Sequence, residues 1–143
     1  YLKELGAAEV MLRSSLDLAR VRPLDKARWA GAIDNLGGDV LAWMASTMKP
    51  QGTIASIGMA ADAALKTTVM PFILRGVALL GIDSGYVGEP YRERVWQRLA
   101  DDLKPRHLHA LTRRVGFDAL PQVFADLLAG RAHGRVVVEL AGG

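Results

Sequence analysis

Cysteine is absent from all 143 residues, which removes disulfides, thiol catalysis and the usual structural zinc sites from consideration. An excess of one charge is missing too, since 18 Lys and Arg stand against 15 Asp and Glu for a formal charge of +3. The arginines are scattered rather than gathered into a basic stripe, so no nucleic-acid partner is expected. The apolar runs are too short to cross a bilayer, and the amino terminus lacks a basic-then-apolar signal pattern. These absences point to a soluble, cytoplasmic protein with no membrane partner. His107 and His109 stand two apart with no acidic ligand fixed nearby, so they read as surface histidines and no metal is expected.

What is present is apolar material in short, punctuated runs. Half of the residues are hydrophobic, enough for one domain with a core. The chain is organised around Trp29-Ala-Gly-Ala-Ile-Asp-Asn-Leu-Gly-Gly38: an apolar run of strand length, an Asp34-Asn35 end, a Gly-Gly turn, and a helix over residues 39–48. A second strand, Thr53 to Gly58, follows at short range after Lys49-Pro-Gln-Gly52 closes the helix. Strand, turn, helix and strand make the half-unit of a parallel α/β sheet, whose carboxyl ends form a ledge for a flat ligand.

The other elements are read the same way. Tyr1 to Ala8 looks like the last turns of a helix closed by Gly6, Glu9-Val-Met-Leu12 like a short strand, and Leu16 to Lys26 like an irregular stretch. Residues 59–66 are expected to form a loop, and residues 67–75 a short helix with Pro71 near its start. Gly76 to Asp83 reads as a third buried strand, closed by Ser84-Gly85. A helix is expected over Glu89 to Leu103, with Pro90 in its first turn and Val95, Leu99 and Leu103 on one apolar stripe. Another spans Phe117 to Gly130, capped by Asp118, and a last strand spans His133 to Leu140 before a loose Ala-Gly-Gly tail.

The words Leu-Gly-Ala-Ala-Glu-Val, Trp-Ala-Gly-Ala-Ile-Asp-Asn-Leu-Gly-Gly, residues 67–84 and the closing His-Gly-Arg-Val-Val-Val resemble the carboxyl-terminal half of a medium-chain dehydrogenase/reductase. More narrowly they resemble its zinc-free quinone oxidoreductase-like branch, which includes acrylyl-CoA reductase. The resemblance implies an α/β fold: a partial Rossmann (doubly wound parallel) sheet lacking its first two strands, plus a carboxyl-terminal helix-strand segment that returns to the catalytic domain. Residues 1–103 would belong to the cofactor-binding domain and residues 104–143 to the catalytic one. In the order 3-2-1-4-5-6, Glu9 to Leu12 would be the third strand, separated from the fourth at Ala30 by roughly 14 Å at about 4.8 Å per spacing.

The resemblance also implies a site. Asn35 and Leu36 would pass beneath the nicotinamide ribose of NADPH, although Asn35 taken alone serves equally well as a helix cap. Ile57, Gly58 and Met59 would be the next contact, with glycine allowing close approach, or else simply a strand end. Gly81, Ile82, Asp83 and Ser84 would meet the carboxamide with their backbone. Arg135 would lie near the phosphates or be an ordinary strand-edge arginine. Thr67, Thr68 and Phe72 could border the substrate, but capping and core packing are favoured for them. No G-x-G-x-x-G is present, so the chain alone is expected to bind NADPH weakly or not at all and to have no turnover.

The implied parent would transfer hydride from NADPH to an activated alkene or a quinone, with an enoyl thioester as the small-molecule substrate. No catalytic residue can be assigned within this chain. A homodimer is expected through the edge strand Val77 to Ile82. Two other readings stay open: a complete α/β nucleotide-binding module using Asn35-Leu-Gly-Gly38 as its phosphate turn, and a non-catalytic oligomerisation module.

Overall fold

In the computed structural model, which describes residues 1–140, the strand at Trp29–Asp34 (β1) runs into the helix Gly38–Thr47 (α1) and out into the strand Met48–Ser56 (β2). A short helix, Met70–Arg75 (α2), then leads to the strand Ala78–Gly81 (β3). The three strands form one sheet in the order β1-β2-β3, both pairs parallel. This is the sequence of crossovers expected for the fourth, fifth and sixth strands of a Rossmann sheet.

Register explains the burial. Ala32, Ile54 and Leu79 stand in one row across the sheet, and Ile33, Ala55 and Leu80 in the next. Successive residues of a strand point to opposite faces. The first row therefore joins the core, with Met48 and Val77, against Leu41 and Ala45 of α1 and Phe72 of α2. The second row faces away: Ile33 is 67% exposed and Leu80 50%. A parallel sheet normally has both faces covered, but here only one is, so the expectation of fully buried strands is corrected to half-buried ones.

The chain divides into two compact units rather than one, residues 7–87 and residues 1–6 with 88–143. Among the described residues, every buried apolar side chain except Val123 belongs to residues 7–87. The second unit contains the helix Tyr91–Ala100 (α3), the strand Thr112–Gly116 (β4), the helix Leu120–Leu128 (α4) and the strand Arg135–Glu139 (β5). β4 and β5 pair in parallel, and a two-stranded sheet has little stability of its own. The apolar stripe of α3 lies open, with Val95 40% and Trp96 64% exposed, and Leu103, expected on the same helix, lies beyond its end at Ala100.

Several local expectations are corrected. Glu9 to Leu12 is not a strand but irregular chain leading into a 3-10 turn at Arg13–Ser15. Its four residues have no strand beside them, and a strand needs a partner for its backbone groups. Lys49 to Gly52 lies within β2, as an irregularity between the pairs Trp29–Met48 and Gly31–Thr53. Pro90 is the residue before α3, not in its first turn. Asp118 sits inside a 3-10 turn, and neither this turn nor α4 has a side-chain cap. β4 was not anticipated, because Thr112-Arg-Arg-Val-Gly carries a single strong apolar residue. The closing Ala-Gly-Gly tail lies outside the described residues.

Candidate cofactor site

The site begins with a row of three strand ends. Asp34, Ser56 and Gly81 are register partners at the carboxyl ends of β1, β2 and β3. The chain leaves this row as Asn35-Leu36, Ile57-Gly58-Met59 and Ile82-Asp83-Ser84, so nine of the ten residues expected at a cofactor site share one edge of the sheet. Carboxyl ends of parallel strands are where open α/β sheets bind ligands. Ile57 and Met59 are 45% and 70% exposed and give the ledge an apolar surface. Arg135 is the exception: it belongs to the other unit, where it opens β5 and its guanidinium donates to the carbonyl of Gly134.

Backbone bonds tie the three ends together. The amide of Ile57 donates to the Asp34 carbonyl at 2.8 Å, and that of Ile82 to the Ser56 carbonyl at 2.9 Å. Asp83 folds the third end into a tight turn, its Oδ1 accepting from the amides of Gly85 and Tyr86 at 3.1 and 3.2 Å. Gly58 lies against the first end: a Cβ there would stand 2.8 Å from the Asn35 carbonyl oxygen. A Cβ on Gly81 would meet nothing within 4 Å, so the ledge is open above the third strand.

Sequence reasoning missed the residue beneath the ledge. Asp34 is fully buried. Its Oδ1 accepts from the amides of Leu36 and Gly37, both at 3.0 Å, and its Oδ2 from Gly37 at 3.2 Å and from the Ser56 hydroxyl at 3.1 Å. The only sequence signal was an acidic residue ending an apolar run before a Gly-Gly turn.

The Gly37-Gly38 turn is closed by the chain itself. Both residues have positive φ, 69° and 56°, which glycine adopts without strain. The loop after Gly58 folds back over them, the amides of Ala61 and Asp62 donating to the Leu36 carbonyl at 2.9 and 3.2 Å. A Cβ on Gly37 would collide with the Asp62 carbonyl oxygen, and one on Gly38 would stand 2.9 Å from the Asp62 Cβ. A phosphate cradle needs free amides and open space at a helix amino end. Here the Gly37 amide is spent on Asp34 and Asp62 occupies the approach.

Arg75 was missed as well. Its guanidinium donates to the carbonyls of Ser46 and Met48, each at 2.9 Å, and to that of Asp25. It thereby satisfies the carbonyl end of α1 and the start of β2 together. Thr68 and Phe72 take the roles favoured for them: the Thr68 Oγ1 accepts from the Met70 amide at 3.3 Å, and Phe72 packs on the core. Thr67 lines a shallow depression of about 220 Å³ with Val21, Arg22, Pro23, Lys66 and Thr68. Among the described residues no group of His, Asp and Glu could hold a metal ion, and no helix is long and apolar enough to cross a membrane.

Comparison with known proteins gives the ledge a context. Acrylyl-CoA reductase AcuI of Ruegeria pomeroyi is 44% identical over 142 residues, 98% of this chain and 42% of the relative. YhfP of Bacillus subtilis, classed by name with the quinone oxidoreductases, is 42% identical over 141 residues. Its crystal structure with NAD bound matches at a TM-score of 0.87 over 97% of this chain and 43% of that one, at 41% identity. The crystal structure of Escherichia coli YhdH with bound NADPH matches at 0.82 over 96% of this chain and 42% of that one, at 39% identity. No family model matches the chain. The chain spans less than half the length of these relatives. With this identity over nearly all its residues, the chain is similar to the matching part of these acrylyl-CoA reductase and quinone oxidoreductase relatives and shares its fold with the nicotinamide-bound structures.

Proposed function

We propose that this chain supplies the nicotinamide-facing part of the cofactor site of an NADPH-dependent reductase, one that reduces an activated alkene such as an acrylyl thioester, or a quinone. The single observation that carries the reading is the row Asp34, Ser56, Gly81, with the three expected ligand segments leaving it side by side. The relatives' names and their nicotinamide-bound crystal structures support the same reading. Residues 1–103 would then serve the cofactor domain and residues 104–143 the return to the catalytic domain. The working assembly is a homodimer joined through Val77 to Ile82.

The ledge fits one half of the cofactor. Where Gly58 meets the Asn35 carbonyl, the absence of a Cβ keeps the strand ends close and level, so a flat ring can lie across Asn35, Leu36, Ile57 and Met59. When bound, the reduced nicotinamide supplies the hydride. The chain's own residues orient the ring: backbone groups of Gly81 to Ser84 meet its carboxamide, and the apolar side chains of Ile57 and Met59 keep water from one side. The other half of the cofactor has no cradle in this sequence, because the Gly37-Gly38 turn is filled by Asp62. That occupancy also weighs against a self-sufficient nucleotide-binding module using this turn.

The test is a chimera in which this chain replaces the matching part of the Ruegeria acrylyl-CoA reductase. NADPH-dependent reduction of acrylyl-CoA by the chimera is the expected result; a folded chimera that neither binds NADPH nor turns over sinks the reading. The chain alone is expected to show no micromolar NADPH binding by isothermal titration.

A further inference from the structure

We infer that Asp34 is the positioning residue of the ledge, acting through Ser56 to hold the turn after β1 and the turn after β2 in one fixed relation. The inference rests on the nicotinamide reading of the ledge and adds a residue to it that touches no ligand. Asp34 is fully buried, and its carboxylate divides its two oxygens between the two strand ends. Oδ1 gathers the amides of Leu36 and Gly37, which shapes the backbone of Asn35 and Leu36. Oδ2 reaches across to the Ser56 hydroxyl at 3.1 Å, one residue before Ile57.

The main chain continues the same linkage. The Asp34 carbonyl receives the Ile57 amide and the Ser56 carbonyl receives the Ile82 amide, so all three lips of the ledge hang on the Asp34–Ser56 pair. A ladder alone fixes strand spacing. The carboxylate additionally fixes the direction in which Asn35 and Leu36 leave the sheet, because two successive amides must converge on it. A hydrogen bond to a carboxylate is stronger than a neutral one, and without the Ser56 hydroxyl the Oδ2 of Asp34 would keep only the Gly37 amide at 3.2 Å, from its own turn. A ligand that spans all three strand ends is sensitive to that geometry, since a displacement of about 1 Å at a binding lip is costly.

The experiment uses the 143-residue chain with Ser56→Ala and Ser56→Thr, and reduced nicotinamide mononucleotide as the probe, which needs no pyrophosphate cradle. Amide hydrogen exchange is read at Leu36, Gly37, Ile57 and Ile82, with core Ile54 as the control for global opening. In Ser56→Ala, exchange at the ledge amides is expected to rise about fivefold relative to Ile54, the worth of one hydrogen bond, and the mononucleotide to bind several-fold more weakly. Ser56→Thr, which keeps the hydroxyl, restores both. A purely structural role for Asp34 would raise exchange at Ile54 as much as at the ledge, and that result overturns the inference. So does a Ser56→Ala chain with unchanged ledge exchange, or a threonine variant no better than alanine. If the wild-type chain does not bind the mononucleotide but ledge exchange responds as stated, the nicotinamide reading fails while the positioning role of Asp34 is upheld.

Discussion

Gly58 rests against Asn35 so closely that a methyl group on the glycine would stand 2.8 Å from the asparagine carbonyl oxygen and 3.3 Å from its Cα. Real Cβ atoms essentially never show a contact of 2.8 Å, and the atoms it would meet are all backbone. Gly58→Ala must therefore push the end of β2 away from the turn after β1. The expected loss is about 1–3 kcal/mol of stability, as for other overpacked sites, with weaker cofactor binding in the chimera. Urea unfolding and an NADPH titration of the same variant check the two effects. An alanine variant that unfolds and binds like the parent would show that the ledge tolerates a wider gap.

Arg75 makes the second prediction. Three backbone carbonyls, those of Asp25, Ser46 and Met48, accept from one guanidinium. Arg75→Met keeps most of the apolar stem and removes every donor, so the carbonyls of Asp25, Ser46 and Met48 each lose a charged hydrogen bond, while that of Ser46 keeps the Asp25 amide at 2.9 Å. The expected cost is about 2–3 kcal/mol, from the range for charged hydrogen bonds. Lysine recovers only part of it, since a single ammonium cannot reproduce the planar fork. The measurement is the urea midpoint followed by the fluorescence of Trp29 and Trp43, both in the unit that Arg75 ties together.

The sheet and its ledge were legible because the signals were local. Trp29 to Asp34 and residues 53–56 are apolar runs bounded by glycine, and Pro71 marked the start of α2 as its missing amide requires. What escaped was set by distant partners. Asp34 finds Ser56 22 residues on, and Arg75 reaches a carbonyl 50 residues back, at Asp25; no periodicity encodes such pairs. β4 is a strand only because β5 lies beside it, pairing Val115 with Val138. Glu9 to Leu12 failed for the converse reason, having strand-like composition and nothing to pair with. Val95 and Leu99 of the expected stripe lie on α3 and Leu103 beyond its end, and composition could not say that this chain leaves them open.

A third prediction concerns acid. Asp126 is held below the ordinary carboxylate value of 3.8, chiefly by the hydrogen bond from Arg131 at 2.9 Å and then by that from Gln122. A carboxyl group whose folded value is depressed contributes stability that is fully present above its unfolded value. That contribution is lost as the pH falls through the folded one. The Asp126 share should therefore be complete near neutral pH and fade progressively in acid, as the pH falls through the ordinary carboxylate range and then through the depressed folded value. Its carboxyl carbon, followed by NMR, is expected to titrate below 3.8, and Arg131→Met should move the midpoint upward towards that value. A midpoint unmoved by Arg131→Met would mean that the pair does not persist in solution.

The last prediction concerns the sheet border. Among the described residues β3 pairs only with β2, so its outer edge presents unpaired backbone groups. Leu80, on the uncovered face, is half exposed beside that edge. Natural sheets blunt such a border with charge, proline or a partner, and Ala78-Leu-Leu-Gly81 has neither a charge nor a proline. A second copy meeting it about a two-fold axis would continue the sheet across the contact and bring Leu80 of both copies out of water. Sedimentation equilibrium of the chain is expected to give twice the monomer mass at high concentration. Leu80→Lys should shift it to the monomer, because each copy would then carry a charge into a desolvated seam. The β1-β2 ladder lies away from that edge, so the variant should unfold in urea close to the parent. A parent that stays monomeric at high concentration would refute pairing through β3, whatever the variant does.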